Sequence, residues 1–164
     1  CQTRKTESNH HVLGKLTTGA AGMVGGQIMD MANEKRSDVT LEEQEAMCAA
    51  KTGALIRAAC RLGCTAGFAS KEQIILADQY GAKLGLAFQI VDDILDVTST
   101  SEVLGKPVGS DAEEGKTTFV TLLGLEEAQR RAAALTEEAE QILAQFPEHE
   151  FLMALTQELL RREK

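Results

Sequence analysis

Gln89, Ile90, Val91, Asp92, Asp93, Ile94, Leu95 and Asp96 set three carboxylates and one amide into an apolar stretch. At 3.6 residues per turn the four polar groups share an arc of about 100°. Asp92 and Asp96 stand four residues apart, and Asp93 and Asp96 three apart. The flanking residues are Leu84, Leu86, Phe88, Ile90, Val91, Ile94, Leu95 and Val97, and no other charge lies between Lys83 and Val97. A solvated helix face carries mixed charge; this one carries one sign among side chains that favour burial. Neighbouring carboxylates repel, and desolvation adds to the cost. A divalent cation removes both penalties. Mg²⁺ takes oxygen ligands, keeps several waters, and is held by one or two carboxylates together with substrate phosphates. Calcium fits less well, because no EF-hand-like loop supplies further oxygens. An acidic surface stripe is the competing explanation.

Lysines beside glycines offer the complementary charge: Lys51-Thr52-Gly53, Gly105-Lys106-Pro107 and Gly115-Lys116-Thr117. Lysine binds phosphate as a point charge, and glycine lets backbone approach a ligand. Singly, each is an ordinary surface lysine. Together with a carboxylate ridge they suggest a diphosphate held by metal on one side and ammonium groups on the other. A third candidate is Gly22-Met-Val-Gly25-Gly26-Gln27-Ile-Met-Asp30, where glycines allow close helix approach and Gln27 and Asp30 share a face. No Gly-x-Ser-x-Gly and no convincing Cys–His pair argues for a covalent nucleophile.

The elements that must position these groups read as helices. Residues 1–11 read as an irregular end, His10 and His11 included, and residues 12–164 as part of one all-helical domain. Residues 12–33 form one helix rich in small residues, and 34–40 a turn. Thr40-Leu-Glu-Glu43 is a capping box that starts a helix to about Gly67, bent near Gly53. Ser70-Lys-Glu-Gln73 starts a second, ending near Val97 with the acid ridge. Residues 98–116, with three glycines and Pro107, read as a long loop of the kind that is functional or disordered. Helix resumes over 117–124, 125–145 and, after Pro147, 148–163.

The bulk numbers narrow the class. The 164 residues suffice for one domain, the net charge of −8 argues against a broad nucleic-acid footprint, and no uncharged apolar run is long enough to span a bilayer. No secretory signal is visible. Cys1, Cys48, Cys60 and Cys64 form no C-x-x-C pair and read as small, partly buried thiols of a reducing, cytoplasmic protein.

In order, Gly25-Gly26-Gln27…Asp30, Lys51-Thr52-Gly53, Phe88-Gln89-x-x-Asp92-Asp93-x-x-Asp96, Gly105-Lys106 and Gly115-Lys116 resemble the C-terminal part of the trans-prenyl diphosphate synthases, most closely the bacterial short-chain farnesyl diphosphate synthases. The resemblance runs from about Val12 to the end. It implies an α-helical bundle of the isoprenoid synthase type, here incomplete at the N-terminus. It also implies an enzyme that condenses an allylic diphosphate (dimethylallyl or geranyl) with isopentenyl diphosphate. By that resemblance Asp92 and Asp96 would bind Mg²⁺, or Mn²⁺ in its place, with Asp93 in the same motif. Lys51 and Lys106 would hold the diphosphate, and Thr52 and Gln89 would set oxygen dipoles near a developing carbocation. Lys116 and Asp111 would close over the site, and Gln27 and Asp30 would line the pocket. Family members are commonly homodimers.

The family's first aspartate-rich motif, with its arginine pair and the residues that hold isopentenyl diphosphate, is absent from these residues. The expectation is that they belong to a longer polypeptide and are inactive alone. Terpene cyclisation would call for a different second metal motif. A non-catalytic partner subunit and a ligand-free acidic helical interaction domain are the remaining alternatives.

Overall fold

The computed structural model describes residues 2–34, 36–99 and 116–160, and among them it is all-α, with no strand. In chain order come α1 (Gln2–Asn33), α2 (Leu41–Cys48), a π-helical segment (Ala49–Gly53), α3 (Ala54–Ala66) and α4 (Lys71–Thr98). Beyond residue 115 come α5 (Phe119–Leu123), α6 (Leu125–Leu143) and α7 (Glu150–Leu160). One expectation is corrected: residues 2–11, read as irregular, are the first turns of α1. They are polar without apolar periodicity, and the chain extends the helix that the following small residues establish. The bend expected near Gly53 is the π-helical segment, a widening of one continuous helical run. The 100–115 part of the expected long loop, with Lys106 and Asp111, lies outside the described residues.

Both capping boxes form. Thr40 Oγ1 accepts from the Glu43 N–H and the Glu43 carboxylate accepts from the Thr40 N–H, at 3.2 and 2.9 Å. Ser70 and Gln73 do the same at the start of α4. Each box satisfies donors that would otherwise be orphaned at a helix start. A third box, Thr118 with Thr121, opens α5.

Helix α4 is the spine: α2, the π-helical segment, α3, α5, α6 and α7 all pack against it. Its apolar residues feed one core in which Ala87, Ile90, Phe119, Ala128 and Ala139 lose all solvent contact. Each large side chain buried there contributes about 1.5–3 kcal/mol. Helix α7 is fixed to the spine by a buried pair. Tyr80 Oη and Thr156 Oγ1 are 2.7 Å apart, and Thr156 spends its own proton on the Leu152 carbonyl, so the tyrosine donates.

Burial pushes the Cys48 thiol up to about 12, with the charges of Asp93 and Asp30 adding to it, and burial pushes Cys60 up to about 11. These thiols are unreactive packing groups rather than nucleophiles. The unfolded chain ionises them near 9.0 while the native state keeps them protonated. Their contribution to stability is therefore complete below about pH 9 and declines as pH rises beyond it. Thermal melts between pH 8 and 11 should show that decline, at up to about 1.4 kcal/mol per pH unit for each thiol. A Cys48→Ala variant should show a shallower slope; an unchanged slope would remove Cys48 from the account.

Candidate active site

The π-helical segment carries Lys51 and Thr52. A π turn accommodates one more residue than an α turn and leaves the ladder locally out of register. Two glycines let neighbours close on it. A Cβ on Gly26 would stand 2.1 Å from the Lys51 nitrogen and 2.4 Å from its Cα, so α1 lies directly against this backbone. On the other side a Cβ on Gly85 would stand 3.0 Å from the Gly53 Cα. The lysine and threonine are thereby wedged between α1 and α4.

The groups gather around one cavity of about 250 Å³. Asp30 comes from α1, Lys51 from the π-helical segment, Gln89, Asp92 and Asp93 from α4, and Lys116 to Thr118 from the lead into α5. Lys51 Nζ meets Asp30 Oδ2 at 2.5 Å, so the ammonium is held at the wall by a carboxylate one helix away. Thr52 Oγ1 donates to Gln89 Oε1 at 3.4 Å, and Gln89 Nε2 donates to Asp93 Oδ1 at 3.2 Å. The other Asp93 oxygen accepts from the Phe119 backbone N–H at 2.8 Å. A chain of hydrogen bonds thus joins the π-helical segment to the first residue of α5.

The acid ridge divides. Asp92 is exposed at the cavity and has no hydrogen-bond or ion-pair partner among the described residues. Asp93 is only 5% exposed and turned toward Phe119. Asp96 is 2% exposed and is not part of the cavity wall. Among the described residues no three His, Cys, Asp or Glu side chains converge on a metal unaided. The cavity wall offers oxygens from Asp30, Glu34, Gln89 and Asp92, while both oxygens of Asp93 are taken by Gln89 and Phe119; such a set suits a hard divalent cation that takes its remaining ligands from water and phosphate.

Of the pair on α1, Asp30 faces the cavity. Gln27 does not: it is exposed and outside the wall, correcting the expectation that both line the pocket. Around the helix Asp30 stands about 40° from Gly26 and Gln27 about 100°, so Asp30 lies nearer the side where Gly26 brings α1 against Lys51. Asn33, Glu34, Gln44, Met47 and Thr118 also line the cavity without having been singled out from sequence. None belongs to a spaced motif; only Thr118, just after Lys116-Thr117 and three residues before another hydroxyl, carried a local signal.

The fold is thus an all-α bundle with a lysine–carboxylate cavity beside its long helix α4. The chain belongs to the polyprenyl synthetase family, whose model matches residues 2–153. It is 43% identical over 152 residues to the farnesyl diphosphate synthase of Escherichia coli (strain K12), covering 90% of this chain and 50% of that one. It is 41% identical to the geranylgeranyl diphosphate synthase of Cyanophora paradoxa over 77% of this chain and 42% of that one. The chain thus spans about half the length of these curated relatives. The structure superposes on the geranylgeranyl pyrophosphate synthetase of Pyrococcus horikoshii Ot3 with a TM-score of 0.88 at 28% identity, over 96% of this chain and 60% of that one. For an FPP/GFPP synthase from Zymomonas mobilis the TM-score is 0.74 at 32% identity, over 91% and 51% of the two chains. Among the described residues no helix is long and apolar enough to cross a membrane.

Proposed function

We propose that these residues supply the diphosphate-ionising half of a prenyltransferase site. That site joins an allylic diphosphate to isopentenyl diphosphate, with farnesyl diphosphate as the product. The observation that carries this reading is the meeting, in one cavity, of Asp92 without a partner and the Lys51 ammonium, from elements 41 residues apart in sequence.

A divalent cation shared by Asp92 and the substrate would neutralise the leaving pyrophosphate. Asp96, four residues on, is buried away from the cavity wall, so the cation is assigned to Asp92 alone. The protein's own groups do the rest. Lys51 leaves Asp30 to hold a phosphate oxygen, and Lys116 holds another from the α5 side, with Lys106 as a further phosphate contact. As the carbon–oxygen bond breaks, the Thr52 hydroxyl and the Gln89 carbonyl present oxygen dipoles to the carbon becoming cationic. They stabilise the charge without a covalent bond, and the alkene of isopentenyl diphosphate attacks in their place. A proton is then lost from the product cation. These 164 residues alone are expected to bind diphosphate without turnover, because half of the family's metal site is not among them.

Thermal melts with Mg²⁺, with pyrophosphate, and with both test the reading. Both together should raise Tm beyond the sum of the separate shifts, as ligand linkage requires. Lys51→Ala should lose about tenfold in pyrophosphate affinity, the worth of one charge-assisted contact. No joint shift would refute the proposal.

A further inference from the structure

Asp93 is buried where a metal ligand would need to be open, and the use of its two oxygens has a directional consequence. The Phe119 backbone N–H is a fixed donor at the start of α5, and it occupies Oδ2 at 2.8 Å. The remaining oxygen faces Gln89 at 3.2 Å. A carboxylate accepts and does not donate, so the amide of Gln89 can satisfy it only with its NH₂ end. The carbonyl end is then forced toward Thr52, whose hydroxyl donates to it. The geometry points to Asp93 as a positioning residue that sets the polarity of the Gln89 amide, holding its oxygen rather than its NH₂ group at the cavity. This deepens the proposed function and rests on it for its chemical meaning. A nitrogen end carrying partial positive charge would oppose a developing carbocation, whereas an oxygen end favours it.

The arrangement predicts what a one-atom change does. In Asp93→Asn the new side chain must keep its oxygen on the Phe119 N–H, since that donor cannot move. Its NH₂ then faces Gln89, which turns over so that its oxygen accepts and its NH₂ faces Thr52. In Gln89→Glu the introduced carboxylate meets that of Asp93 and the two repel. The double variant D93N/Q89E is complementary again: the introduced amide donates, the introduced carboxylate accepts, and an oxygen returns to Thr52.

The test is a double-mutant cycle on this chain, read by Tm and by the affinity for Mg²⁺ with pyrophosphate. Gln89→Glu should lower Tm, and adding Asp93→Asn should recover more than half of the loss. If Gln89→Glu alone does not fold, folding of the double variant counts as that recovery. Asp93→Asn should bind Mg²⁺–pyrophosphate within about threefold of the unmodified chain, while Asp92→Asn loses at least about tenfold. The inference is overturned if Gln89→Glu is harmless, if the second change recovers less than half, or if Asp93→Asn loses more than threefold. Should the unmodified chain fail to bind Mg²⁺–pyrophosphate, the proposed function falls. The Tm cycle then still decides the polarity of Gln89 by itself.

Discussion

Replacing Gly26 with alanine is expected to destabilise the protein by about 3 kcal/mol, the upper part of the range for forcing a methyl into a packed contact. The contact is with main chain. The added carbon would lie 2.1 Å from the Lys51 nitrogen, 2.4 Å from its Cα and 2.7 Å from the Ala50 carbonyl carbon, none of which can rotate away. Alanine improves intrinsic helix propensity by about 1 kcal/mol, and that gain is outweighed. The relief available is separation of α1 from the π-helical segment, which would also draw Asp30 off Lys51. Denaturant or thermal unfolding checks the size, with about 6–12 °C expected in Tm. Gly25, where an added Cβ meets nothing within 4 Å, is the control on the same helix. If Gly25→Ala and Gly26→Ala behave alike, α1 does not lie against that backbone.

The second large effect separates binding from stability. Asp92→Asn should leave Tm within about 2 °C, since an exposed side chain without partners contributes little to folding. The same change should weaken Mg²⁺–pyrophosphate binding by at least about tenfold, because it removes the negative charge the cation meets at the wall. Calorimetric titration beside a thermal melt reads both. An unaltered affinity would leave the cavity with no α4 ligand for the metal.

Much of this architecture was legible because its signals are local. The capping boxes at Thr40 and Ser70 need only four residues each to be recognised, and both form as read. The long helix with the acid ridge is a matter of periodicity, and it ends at Thr98, one residue from the expected place. The box at Thr118 escaped because Thr121 takes the part usually given to Glu or Gln. The fate of the ridge was harder to read. A helical arc says that Asp92, Asp93 and Asp96 are neighbours, but not which neighbour each will meet. Asp93 turns to Phe119, 26 residues away in sequence, and no spacing rule reports such a contact. Likewise Gln27 and Asp30 differ only through the crossing of α1 over Lys51, a tertiary event. The π-helical segment left a trace in the glycine at its end and none in the residue types at its centre.

The widened turn at Ala49–Gly53 has an implication for how such a site arises. An α-helix gains a bulge of this kind by accepting one surplus residue, while the turns on either side keep their own registers. Helices α1 and α4 both close on this turn, so the chemistry borne by Lys51 and Thr52 sits on backbone that the frame itself holds from two sides.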